Sequence, residues 1–283
     1  MNVRLAGPNP TTSEDVSSPM PGLSMEEFAA LCSQIVIFTP HRTSEGVTGG
    51  LFQANGYWAR WGMHTAPIED TFGGEIAATR AGMCRAFLTI CQNSDPARDE
   101  AGLPRLRYLV MIDNDEIVHP AAPPNLAFWD EPVVSGVVCS TSEYGGIKAC
   151  FTAQDQFGNA LFPTLKYTGK LPAKGLREIH SCGAGLLCIR RDVIEAVIGA
   201  GMVPFKIPES ERDDAFKTGL LRVGEDISFC RQVKDLGFKV FVDFAVRAAH
   251  LKIVPIAWPD HAIDPSLDAR EWMPDPRDYA HGF

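Results

Sequence analysis

Short apolar runs alternate along this chain with stretches of helical periodicity. Gln34 to Thr39 (QIVIFT) is apolar, β-branched and ends at Pro40, the pattern of a strand buried on both faces. Arg107 to Glu116 (RYLVMIDNDE) is a second such run, ending in acids, and Pro132 to Ser140 (PVVSGVVCS) is a third. Phe238 to His250 reads as a final strand and its exit. Ile76, Met83, Phe87 and Ile90 follow one another at steps of seven, four and three, so they share one helix face. Ser24 is a candidate cap for a short helix over 25–32. Cys182 to Ile198 predicts a strand turning into a helix, and Gly224 to Gly237 a helix stopped by its last glycine. Tyr57 to Trp61 reads as a further strand, and Asn93 to Pro104 as a polar turn region. Residues 141–179 read as hairpins and loops, and Ile207 to Leu221 as a charged connector.

Strands alternating with helices predict an α/β fold, with a mostly parallel sheet covered by helices on both faces. In such a sheet ligands bind at the carboxyl ends of the strands, which directs attention to the loops there. No internal repeat is visible. Residues 1–24, rich in Pro, Ser and Thr, are expected to be a flexible arm, and 25–250 a single domain. The aperiodic tail 251–283 carries Trp258 and Trp272 as anchors and is expected to act as a lid over the cleft.

Composition narrows the classes. The 283 residues are 45% hydrophobic and 22% charged, which excludes collagen, coiled coil and wholesale disorder. The formal charge of -9 argues against a general nucleic-acid or anionic-membrane surface. No apolar run is long enough for an integral membrane segment, and no secretory signal is evident. The eight cysteines form no CxxC pair and sit mostly in apolar runs, so reduced thiols in a cytoplasmic protein are expected.

Five local patterns carry candidate chemistry. Asp113-Asn114-Asp115 closes the apolar strand, and two carboxylates two residues apart suit a hard cation, Mg²⁺ or Mn²⁺. A solvated turn would have the same sequence. Glu225 and Asp226 open a helix, where they serve either as a general base and acceptor clamp or simply as acids favoured by the helix dipole. His250 closes the last strand and could join a metal set, although an isolated histidine is more often structural. Arg80 falls on the apolar stripe of its helix, so its guanidinium needs a protein carboxylate, a bound diphosphate, or a route to the rim. Cys182-Gly183-Ala184-Gly185 precedes an apolar strand and permits close backbone approach by a ligand.

Taken together and in this order, from Gln34 to His250, these segments resemble the GT-A superfamily of nucleotide-sugar glycosyltransferases, especially its family-2-like members. Ile35 to Thr39 resembles the nucleotide-side strand. Ala78-Thr79-Arg80 followed by Leu109 to Asp115 resembles the helix leading into the DxD strand. Cys182 to Gly185 with Arg190-Arg191-Asp192 resembles the strand and helix beneath the acceptor. Gly224-Glu225-Asp226, then Gly237, Asp243 and His250, resembles the ED helix, the following strand and the late histidine. The resemblance implies a GT-A (Rossmann-like) fold and a metal-dependent hexosyltransferase. Mn²⁺ or Mg²⁺ would be held by Asp115 with Asp113 and His250. A nucleoside-diphosphate sugar, with UDP-sugar slightly favoured, would lie near Thr39, Arg42, Arg80, Asp113 and Asn114. Asp226 would act as the base of an inverting transfer, supported by Glu225, with an unidentified acceptor over Cys182, Gly183, Ala184 and Gly185. One departure is plain: the first strand runs into Pro40-His41-Arg42-Thr43 instead of the family's acidic turn. Two other classes compete. A nucleotidyltransferase would release pyrophosphate, and a non-catalytic sugar-nucleotide or glycan-binding module would need no base.

Overall fold

The structure is a computed structural model, and it describes residues 20, 22–41, 49–69, 76–141, 147–149, 151–154, 160–161, 174–210 and 224–250. The arm 1–19, the tail 251–283 and Arg42 lie outside the described residues.

The chain forms a mixed α/β fold around one large, largely parallel sheet. Its path runs β2 (His64–Glu69), β1 (Ile35–His41), β3 (Tyr108–Ile112), β11 (Leu186–Arg190), β5 (Val133–Thr141), β12 (Val240–His250) and β4 (Glu116–Val118). Strands β1, β2 and β3 are parallel, as are β5 and β12. Strand β11 is antiparallel to both β3 and β5, so the five long strands around it all point the same way. Strand β6 (Ile147–Ala149) pairs with β5, and β9 (Leu176–Ile179) with β12. Strands β10 (Ser181–Cys182), β7 (Phe151–Gln154) and β8 (Ala160–Leu161) make a small separate sheet.

The pleat divides the core into two layers. Val36, Phe38, Leu109, Met111, Leu187 and Ile189 face one way. They pack under α3 (Ile76–Glu100), α5 (Arg191–Gly199) and α6 (Glu225–Asp235), which contribute Met83, Phe87, Val193, Val197, Phe229 and Val233. Ile35, Ile37, Val110, Ile112, Leu186 and Cys188 face the other way. That side is covered by α1 (Met25–Cys32), α2 (Gly49–Arg60) and α4 (Ala122–Phe128) through Phe28, Trp58 and Leu126. Burial on both faces is why β1 and β3 lack polar alternation. Each fully buried large apolar side chain contributes roughly 1.5–3 kcal/mol.

Local signals hold where they are complete. Ser24 caps α1 through a reciprocal box: its hydroxyl accepts from the Glu27 N–H, and the Glu27 carboxylate accepts from the Ser24 N–H. Gly237, at φ 83°, ends α6 in a conformation that favours glycine. Two expectations are corrected. Tyr57 to Arg60 belongs to α2 and Trp61 to the turn after it, not to a strand. Ala54 and Trp58, four apart, are both buried, and the Trp58 indole donates to the Pro120 carbonyl at 2.7 Å, so tertiary packing overrides aromatic β-propensity. Asn93 to Glu100 continues α3 through Pro96 instead of turning. Arg191 holds Asp95 at 2.8 Å, and Arg98 donates to the carbonyls of Pro104 and Ser33, which fastens the helix beyond its proline.

Candidate active site at the carboxyl edge of the sheet

Strand β3 ends at Ile112, and Asp113 to Asp115 lie in the turn beyond it. The two carboxylates are therefore presented from a turn, the second of the two readings the sequence allowed. The Asp113 N–H donates to the Gly185 carbonyl at 2.9 Å, and the Glu116 N–H donates to the Asp113 carbonyl at 3.1 Å. Because β11 is antiparallel, its first residue Leu186 pairs with Ile112, which sets the glycine loop against the acid turn. A Cβ on Gly185 would stand 3.0 Å from Glu116 Oε1 and 3.5 Å from Asp113 Oδ2. Glycine here is a steric requirement of that approach. Glu116 itself is buried, and its position as the third acid in Asp-Asn-Asp-Glu was the signal that sequence reasoning passed over.

Arg80 joins this turn to α6. Its guanidinium is buried beneath the site, on the stripe that also carries Met83 and Phe87. One terminal nitrogen donates to both oxygens of Asp113 at 2.9 Å, and the other pairs with Glu225. Of the partners left open by the sequence, protein carboxylates are the ones found. Burial works against the charge on Arg80, but Asp113 and Glu225 outweigh it and raise its pKa. Ile76, expected on the buried face, stands instead at the exposed start of the helix.

The acids that open α6 are thereby made unequal. Glu225 pairs directly with Arg80, whereas Asp226 makes no salt bridge to it and feels its charge from farther off. Burial first, and then the neighbouring Glu225 charge, push the Asp226 carboxyl above the usual aspartate range, against the Ile227 N–H and Arg80. The Ile227 N–H donates to Asp226 Oδ1 at 2.7 Å. A Cβ on residue 224 would fall 2.6 Å from that oxygen, so Gly224 leaves room for the carboxylate to fold back. Asp226 is half-buried, and a carboxylate with a raised pKa is a better proton acceptor than one at the ordinary value.

The other predicted residues are distributed around this edge. Thr39 is half-buried near the end of β1, and Asn114 half-buried in the acid turn. Cys182 and Ala184 turn inward and are buried, the Cys182 sulfur lying 3.9 Å from that of Cys230 in α6. Only backbone and glycine surface are thus offered by the 182–185 loop. Among the described residues no three His, Cys, Asp or Glu side chains form a metal-binding group. Asp113 is committed to Arg80, which removes it from the simplest ligand set. The backbone nonetheless pairs His250 with Glu116, so the last strand ends beside Asp115; the His250 side chain lies outside the described residues. No described helix is long and apolar enough to cross a membrane.

No protein-family model matches the chain, and no curated protein matches it. Solved structures do show likenesses. A197 from STIV aligns at 15% identity and TM-score 0.44, over 77% of this chain and 86% of its own. GalNAc-T7 with UDP, GalNAc and Mn²⁺ aligns at 12% identity and TM-score 0.41, over 82% of this chain but 40% of its own. A nucleoside-diphosphate-sugar pyrophosphorylase from Vibrio cholerae aligns at 9% identity and TM-score 0.34, over 78% of this chain and 76% of its own. Likenesses this distant assign no family, and the fold stands on the strand order and register described above.

Proposed function

We propose that the protein is a metal-dependent glycosyltransferase that moves a sugar from a nucleoside-diphosphate sugar to an acceptor hydroxyl with inversion. The observation that supports this most is the Arg80 bridge. It draws the acid turn after β3 and the start of α6 to one edge, and it engages Glu225 directly while Asp226, with its pKa raised, makes no salt bridge to the guanidinium. Asp226 then accepts the proton of the attacking hydroxyl as the sugar–phosphate bond breaks. Asp115 and His250 would hold a divalent cation, which supplies charge neutralisation for the departing diphosphate. Asp113, fixed by Arg80, shapes the turn that carries Asp115. The 183–185 loop would offer backbone at the same edge to the acceptor, and Thr39, near the end of β1, would lie on the nucleotide side, for which Arg42 is also expected to contribute.

The test is release of free nucleoside diphosphate from a panel of UDP- and GDP-sugars with Mn²⁺, with and without chelator. Turnover should require the metal, and Asp226→Asn should reduce it by roughly 10²–10⁴-fold, the range for general-base catalysis. Release of pyrophosphate in a nucleotide-forming assay would instead identify a nucleotidyltransferase, and undiminished turnover in Asp226→Asn would remove the base.

A further inference from the structure

Helix α6 carries the proposed base, yet no side chain caps its start at Gly224. Its setting is held from outside. Phe205 has φ 64°, a left-handed conformation that a bulky side chain adopts only when its surroundings compel it. Its ring is wholly buried and stacks on Phe229, with centroids 4.2 Å apart and planes within 10°. On either side of that stack, the Ser228 hydroxyl donates to the Lys206 carbonyl at 2.7 Å and the Gln232 amide donates to the Val203 carbonyl at 2.9 Å. Residues 228, 229 and 232 lie on one face of α6, so the loop grips the helix along a full turn. The contact begins two residues after Asp226.

We infer that the loop Val203–Lys206 is a positioning clamp, in which strained Phe205 stacked on Phe229, and the Lys206 carbonyl bonded by Ser228, fix the setting of α6 and hence the placement of Glu225 and Asp226. Phe205 and Ser228 are positioning residues, not catalytic ones. The chemical meaning of the clamp rests on the proposed function, but its mechanical part does not. Backbone strain at Phe205 is retained because three contacts with the helix repay it, and loss of any one frees the helix start before it unfolds the sheet.

The test uses Phe205→Leu, which keeps an apolar side chain but loses the stack, and Ser228→Ala, a milder change that keeps the test open if the first variant does not fold. Amide hydrogen exchange should rise about tenfold across Ser228–Val233 while the amides of Tyr108–Ile112 exchange as before. With UDP-glucose and UDP-N-acetylgalactosamine as probes and Mn²⁺ present, kcat for nucleoside-diphosphate release should fall about fivefold or more with KM little changed, as misplacement of a reacting group requires. Exchange rising equally in β3 and α6, or unchanged in α6, would overturn the clamp and leave Phe205 as ordinary core. A wild-type protein that releases no nucleoside diphosphate from the whole panel of UDP- and GDP-sugars would defeat the glycosyltransferase reading, while the exchange data would still decide the clamp.

Discussion

Replacing Arg80 with leucine removes the one group that joins Asp113 to Glu225. The arginine side chain is 6% exposed, and those of its partners are 24% and 18% exposed. Breaking a buried ion pair by deleting one partner costs about 3–5 kcal/mol, because the remaining charge is left uncompensated. Water already reaches both carboxylates here, so the lower end, about 3 kcal/mol, is expected. At about 2–4 °C per kcal/mol for a domain of this size, the melting temperature should drop by roughly 6–12 °C. Guanidinium unfolding should show the same loss as a shifted midpoint with an unchanged slope. The cause is separable from lost packing. Arg80→Leu combined with Asp113→Asn and Glu225→Gln removes the stranded charges and should recover at least half of the lost stability. A single variant within about 1 kcal/mol of wild type would show that the bridge is energetically idle. A triple variant as unstable as the single one would show that the guanidinium stem, not its charge, holds the site.

Three further outcomes follow from the same geometry. Gly136→Ala would place a Cβ 2.5 Å from Leu186 Cδ2 and 3.2 Å from Val246 Cγ1, both buried, so denaturation should show a loss of about 1–3 kcal/mol from overpacking. Trp129→Phe removes the indole N–H that donates to buried Asp243 at 2.9 Å and should cost about 1.5–3 kcal/mol, measurable in the same experiment. Asp226 has its pKa raised by burial and Glu225, so its contribution to stability is present below the ordinary aspartate range and lost as pH rises through its native pKa. Asp226→Asn should therefore melt above wild type at neutral pH, with the gap closing as the medium is acidified below that range.

The strands were legible because β1, β3 and β5 are largely buried on both faces and so mostly apolar; the ends of β1 and β5 lie within two residues of the sequence reading, while β3 stops four residues before Glu116, where the acids turn. Helix α2 was not legible, because Tyr57, Trp58 and Trp61 have strand-like propensity and the helix is favoured by tertiary packing, the burial of Ala54 and Trp58 and the bond of Trp58 to Pro120. The continuation of α3 past Pro96 depends on Arg98 reaching the Ser33 and Pro104 carbonyls, which are distant or unpatterned in sequence. In the candidate site, Asp113, Glu225 and Arg80 were each singled out from local pattern. Their direct connection was not, since it depends on the reversed direction of β11 and the rotation of α3. Phe205 left no trace at all: a left-handed φ in a residue other than glycine is imposed by its surroundings and has no sequence signature.

Strand β12 contains a miscount with a mechanical consequence. Asp243 pairs with Gly136 and Arg247 with Val137, so four steps along β12 match one along β5. The three surplus residues take up about 10 Å of chain at roughly 3.3 Å each. Were they paired one for one instead of set aside, the strand would overrun Glu116 by that distance and present its last residues with the pleat inverted. The segment thus works as a vernier between the fixed body of the sheet and its working rim. Deleting all three would let Arg247 follow Asp243 in continuous register with Val137 and leave the strand end opposite Glu116, whereas forcing any of them into the ladder shifts that end along β4.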